Sequence, residues 1–180
     1  MHEKHFMNKS FLLCLLFSIS MIFAEENHDQ NISFSYGLFN VTGMSVIAGN
    51  AIANTFNSED KTDIDLLTES SFNFAYGYEL FEKLEIGGIL TYSYVGSGIN
   101  YNTITLMPKL KFNWNNGSSF RFYSLLAVGP AFIFNSKKFK TTTLFQGSLL
   151  GFEFGKDTSF FFELGIGQAG MLVFGVKRTL

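Results

Sequence analysis

Seven charged residues stand inside otherwise apolar stretches: Glu85, Lys109, Lys111, Arg121, Glu153, Glu163 and Lys177. All carry odd numbers, and the large apolar residues around them mostly carry even ones. In an extended chain successive side chains point to opposite faces, so the seven share one side of whatever sheet they build. Four are cations and three are anions, nearly balanced. Charges removed from water must be paired. The expected chemistry is an ion-pair and hydrogen-bond network that fills an interior and fixes register, with a proton or ion path as the competing use. Other chemistry has little to work with. His2, His5 and His28 precede the first strand pattern, and Cys14 lies in the leader. A Ser–His hydrolase lacks its base, and a thiolate or imidazole metal site lacks its ligands. Glu153 and Glu163 could formally make a carboxylate pair, but nothing suggests a cleft. No enzyme activity, catalytic residue, cofactor or metal is expected.

The elements that carry these residues are strands. The C-terminal stretch GFEFGKDTSFFFELGIGQAGMLVFGVKRTL alternates throughout. Phe160, Phe162, Leu164 and Ile166 oppose Phe161, Glu163, Gly165 and Gly167, a period of two. Eight such segments follow from Asn31: about 32–40, 70–79, 84–95, 103–114, 119–134, 142–154, 159–167 and 171–180. The sixth is irregular, because Gln146 and Ser148 fall on the even, apolar parity. Even numbers are expected to face outward in every strand, as one antiparallel meander would give. Tight connections at 80–83, 115–117 and 156–158 alternate with longer ones, the longest being Val41–Glu69. Pro108 and Pro130 fall inside strands, where a closed barrel has no edge to excuse a missing N–H.

The fold class expected is all-β: an eight-stranded antiparallel up-and-down transmembrane barrel. Alternation alone does not separate it from a soluble barrel, but the contents of the two faces do. The odd face is mostly Gly, Ala, Ser and Thr, suited to the cramped interior of eight strands. The even face is bulky, with Tyr92, Tyr94, Phe132 and Phe134 at one end of the strands. Tyr76, Tyr78, Phe112, Trp114, Phe120, Phe122, Phe152, Phe154 and Phe160 stand at the other, the two aromatic girdles of a membrane barrel. The chain has 180 residues and is 47% hydrophobic but only 16% charged, well under the usual quarter. A formal net charge of −2 gives nucleic acid no purchase. Residues 1–24 read as a signal peptide, with Lys4 and Lys9 before the apolar run Phe11–Ala24, and Met7 as an alternative start. Residues 25–180 are the barrel domain. Within the long connection, Met44, Ile47, Ala51, Ile52 and Phe56 recur near helical spacing, so a short helix is expected there. Glu59, Asp60, Asp63, Asp65 and Glu69 follow as an acidic run: a solvated loop, a calcium site, or a bridge to lipopolysaccharide through divalent ions.

The closing hairpins also resemble small outer-membrane β-barrel domains of Gram-negative bacteria, similar to the OmpA/OmpX-like group. The residues concerned are Gly151-Phe152-Glu153-Phe154-Gly155, Phe162-Glu163-Leu164-Gly165-Ile166-Gly167, Gly170 and Gly175, with TLMPKLKFNW at 105–114. Such barrels usually end in Phe after an apolar residue two places earlier; here Leu180 and Arg178 hold those places. The resemblance implies fold and the cell outer membrane as location. It implies outer-membrane lipid, lipopolysaccharide and the barrel-insertion machinery as partners. It carries no catalytic residues. A structural or surface-interaction role through external loops, with a polar plugged lumen, an unknown surface ligand and a monomeric state, is the expected function. A narrow transport or lipid-handling barrel is the alternative. Mass spectrometry of envelope protein should find a mature N-terminus near Glu25; an intact Met1 or Met7 terminus in a cytoplasmic fraction would sink the export reading.

Overall fold

A computed structural model describes residues 29–41, 70–95, 101–115, 117, 119–135 and 138–180. Eight strands follow one another: β1 Gln30–Leu38, β2 Ser70–Phe81, β3 Leu84–Val95, β4 Tyr101–Asn113, β5 Phe120–Asn135, β6 Lys138–Gly155, β7 Thr158–Gly167 and β8 Leu172–Thr179. Each pairs antiparallel with the next, and β1 pairs with β8, closing the barrel. The helix expected near 44–56, the acidic run and the leader lie outside the described residues.

Closure removes every sheet edge along the paired length, which is what a β structure needs in a medium without water. The exterior fits that medium. Phe34, Phe72, Leu126, Phe160 and Leu149 are among many large apolar side chains left more than half exposed, the reverse of a water-soluble barrel. The aromatics cluster at both ends as expected, through contacts such as Phe134–Phe139 at one rim and Phe120–Phe154 at the other. Tyr78, expected in the second girdle, is buried instead.

Both prolines face outward on the same seam. On its β3 side the ladder runs unbroken through Gly88↔Pro108, whereas β4 and β5 pair at Thr105↔Ala131 and next at Lys109↔Ala127. Pro108 and Pro130 both fall within that gap. Two residues lacking an N–H thus share one break, and register resumes unchanged beyond it.

Even numbers do not face outward in every strand. Register between β6 and β7 shifts between Ser148 and Leu150, and Leu149 is the extra residue. Leu149 and Leu150 both point out, while Gln146 and Ser148 are buried inside. A bulge places two residues opposite one and reverses parity beyond it, so the irregular sixth segment is two regular ones joined at a bulge. A bulge also leaves a carbonyl without its ladder partner. Here Leu149 O accepts a 2.7 Å bond from Ser124 Oγ on the exterior of β5, and Ser124 Oγ in turn accepts from Trp114 Nε1 at 2.9 Å. Ser124→Ala removes that donor and leaves the carbonyl and the indole N–H starved on an apolar face. A loss of about 1–3 kcal/mol is expected by urea unfolding in lipid vesicles, against no measurable loss for Ser119→Ala on the rim.

Candidate functional site

The lumen is built from the inward residues of all eight strands and is stratified. At the end holding the tight turns lie the charges. Glu85 on β3 receives Lys109 Nζ at 2.6 Å and Lys111 Nζ at 3.7 Å from the neighbouring β4. Glu153 on β6 receives Lys111 at 3.0 Å, Lys177 at 2.6 Å and Arg121 at 3.6 Å. Three cations from three strands therefore meet one carboxylate, which also accepts a 2.9 Å bond from Ser159 Oγ. Glu85 accepts from Asn31 Nδ2 at 3.1 Å. Lys111 bridges the two acids and so joins the two halves of the cluster.

Glu163 sits apart. Among the described residues it meets two hydroxyls rather than a cation: Tyr123 Oη at 2.8 Å and Ser148 Oγ at 2.6 Å. Tyr123 links it to the rest, since Lys111 Nζ lies 3.9 Å over the centre of the Tyr123 ring. Charge-assisted hydrogen bonds and a cation over an aromatic face replace the ion pair that charge alone suggests. Gly151 makes the arrangement possible. It pairs directly with Tyr123, and a Cβ there would occupy the space of the tyrosine ring.

Several members escaped the sequence reading. Glu79 on β2 receives Arg121 Nη1 at 3.3 Å; it continues the odd parity of Gly77, and counting it makes four cations face four anions. Asn31, Tyr123 and Ser159 were equally available by parity. Ser148 was not, because only the bulge turns it inward.

Above the charges, Ala75, Ile89, Met107, Tyr123, Leu125 and Ala127 pack as one buried cluster, an apolar waist. A cavity of about 40 Å³ bordered by Asn73, Lys111, Glu163 and Val173 among others remains in the lumen, room for a few waters at most. Beyond the waist the interior turns polar but uncharged, and the β7–β8 connection folds into it. Gln168 and Ala169 are buried there. Ala169 O accepts from Ser71 Oγ at 2.6 Å and Asn73 Nδ2 at 3.2 Å, and Ala169 N donates to Gln146 Oε1 at 2.8 Å. Gln146 Nε2 donates to Gly170 O at 3.0 Å, and Gln168 Nε2 to Ser93 Oγ at 2.7 Å. The sequence marks Gly-Gln-Ala-Gly as a turn but gives no sign that the turn points inward. Among the described residues no group of His, Cys, Asp and Glu has the arrangement to hold a metal ion.

Glu153→Ala leaves Lys177 without an acid and takes from Lys111 and Arg121 one of their two acids, and is expected to cost about 3–5 kcal/mol by urea unfolding in vesicles. Glu163→Gln keeps an acceptor for one hydroxyl and presents an N–H to the other, whose oxygen can accept it, and should cost about 1 kcal/mol or less. Phe162→Leu trims only a lipid contact and should stay under about 1.5 kcal/mol. Equal small losses in all three would show that no charged cluster holds the lumen.

No family model matches the chain, and no curated protein matches it. Among solved structures it is similar to the N-terminal β-barrel domain of OprF from Pseudomonas aeruginosa, with TM-score 0.45 and 14% identity over 86% of this chain and 98% of that one. It is likewise similar to Ail, the attachment invasion locus protein of Yersinia pestis. The structure of Ail with the heparin analogue sucrose octasulfate aligns with TM-score 0.48 and 14% identity, over 86% of this chain and all of that one. Ail in a phospholipid bilayer nanodisc gives TM-score 0.45, again at 14% identity over 86% of this chain and all of that one.

Proposed function

We propose that the chain is a small outer-membrane barrel with a closed lumen that works as a surface-interaction protein. The apolar exterior supports the location. The paired charges, the apolar waist and a lumen cavity too small for a solute favour this reading over narrow transport or lipid handling. The observation that carries the interaction role is the length of β6. Its ladder with β7 ends at Gln146↔Gly167, whereas its ladder with β5 continues to Asn135↔Lys138. At about 3.3 Å per residue, the β5–β6 hairpin rises well past the rim on the β7 side.

Among the described residues no strand pairs with the raised part of β6 on its β7 side. Gln168 N donates to Phe145 O at 2.9 Å, so that carbonyl points away from β5. Residues two apart in a strand turn their backbone groups the same way. Thr143, Thr141 and Phe139 therefore offer N–H and C=O groups to an incoming strand, and Thr141, Thr143 and Phe139 are exposed. A partner with an extended segment could add to this edge through backbone hydrogen bonds.

Thr141→Pro tests it. The substitution removes one edge donor without touching the ladder to β5, and an edge is a place in a sheet where proline is tolerated. On intact cells, cross-links from Thr143→Cys to a partner protein should disappear when Thr141→Pro is added, while the heat-dependent gel migration of the folded barrel persists. Labelling of Ser119→Cys on intact cells, with Thr143→Cys protected, would show that the raised hairpin faces the periplasm and would overturn the reading.

A further inference from the structure

The β7–β8 turn is unusual in where its polar groups go. A hairpin turn at a barrel rim ordinarily faces water, yet Gln168, Ala169 and Gly170 lie in the lumen and are bonded mostly by side chains: Ser71 and Asn73 from β2, Ser93 from β3 and Gln146 from β6. Water could serve each of those groups if the turn swung outward. Glycines flank the segment. Gly167 has φ +150° and Gly170 φ +126°, conformations that any other residue adopts only under strain. Gly37 makes the seat, since a Cβ there would take the place of Ala169 O.

A second observation lies beside the turn. Thr103 and Thr105 are fully buried on the inner face of β4, and among the described residues neither Oγ1 has a hydrogen-bond partner. A buried hydroxyl without a partner is costly unless something enters to satisfy it. Thr105 pairs with Thr91, which pairs with Asn73; Thr103 pairs with Ser93, which pairs with Ser71. Both threonines thus stand on the same rungs as the residues that hold the turn.

We infer that the β7–β8 turn is a removable stopper over a polar cup in the outer half of the lumen, and that the cup admits water or a small uncharged hydrogen-bonding solute when the turn swings out. Below the cup the lumen is filled by the apolar cluster and the ion-paired charges, with a cavity of only about 40 Å³ among them, so opening the cup does not open a pore. The inference rests on the barrel alone and not on its location or surface role.

Accessibility of Thr105→Cys to a charged thiol reagent, in refolded protein in detergent, tests it. The sole cysteine of the chain is Cys14, so with Cys14→Ser in every variant the probe reports alone. Thr105→Cys should label slowly in the parent barrel. Gln146→Ala removes two of the bonds that hold the turn and should speed labelling about tenfold or more. Asn73→Ala should act in the same direction by a smaller factor. Ala127→Cys, in the apolar waist, should stay protected in every background. Equal rates with and without Gln146→Ala, or parent labelling as fast as at an exposed cysteine, would overturn the stopper. So would parallel acceleration at Ala127→Cys, which would mean that the whole barrel had loosened.

Discussion

Closure of the hydrogen-bond ladder is the constraint on which everything else depends. A chain presenting Phe34, Phe72, Leu126 and Phe160 to its surroundings is stable only where water is absent, and there no backbone group can be left for solvent. Each local irregularity is arranged around that rule. The two prolines share a single seam rather than breaking two. The carbonyl released at the β6 bulge is recovered by Ser124, a polar residue on an otherwise greasy face. Apart from that seam and that bulge, ladder bonding is relaxed along the raised part of β6, beyond the rim, where water is available again.

Closing eight strands also dictates what the interior must be. The space is too narrow for a channel but too wide for glycine and alanine alone, so some long side chains must enter, and their charges must cancel. Lysine and glutamate serve because their stems fill volume while their heads reach across the lumen. Glu153 shows the consequence: it is reached by Lys111, Lys177 and Arg121 from β4, β8 and β5, so one carboxylate ties together strands distant in sequence. Such pairs add little net stability over a packed apolar core, but removal of one partner is expensive. The same asymmetry opposes slippage, because moving any of these strands by one residue would turn a charged side chain into lipid.

How much of this was legible in the sequence follows from what sets each feature. Strand number, topology and the side on which Glu85, Lys109 and Lys177 fall depend on a period of two, which is local. The inward positions of Glu79, Asn31 and Tyr123 obeyed the same rule and needed only its full application. Gln146 and Ser148 did not: their parity looked wrong because an extra residue, Leu149, lies between them and Gly151. Partner choice was not legible at all. Glu163 meets Tyr123 and Ser148 because the registers of β5, β6 and β7 put Tyr123, Gly151 and Glu163 on one rung, with the bulge turning Ser148 inward beside it, whereas which cations reach which acid across the lumen is a property of stagger. Stagger shows when the paired residues are followed around the wall. From Leu38 they lead one way through Ser70, Tyr94, Asn102 and Phe134 to Phe139, and the other way through Leu172 and Leu164 to Leu150. The path returns to β6 at a different residue.

Stagger joins the two ends of the molecule in one argument. Tilted strands of unequal length produce a slanted rim: β7 stops at Gly167 while β6 continues, so the wall is low beside β7 and high beside β5. On the low side the connection to β8 leaves β6 after Phe145 instead of following it upward, and its backbone groups must find partners elsewhere. The lumen offers them in Ser71, Asn73, Ser93 and Gln146, and a turn without bulky side chains can reach them. On the high side the hairpin has the opposite difficulty, a surplus of backbone groups on β6 with no strand among the described residues beside them. The inward turn and the exposed edge are therefore two results of one mismatch in length between β6 and β7. Extending β7 far enough to cover the β6 edge would draw the turn out of the lumen at the same time.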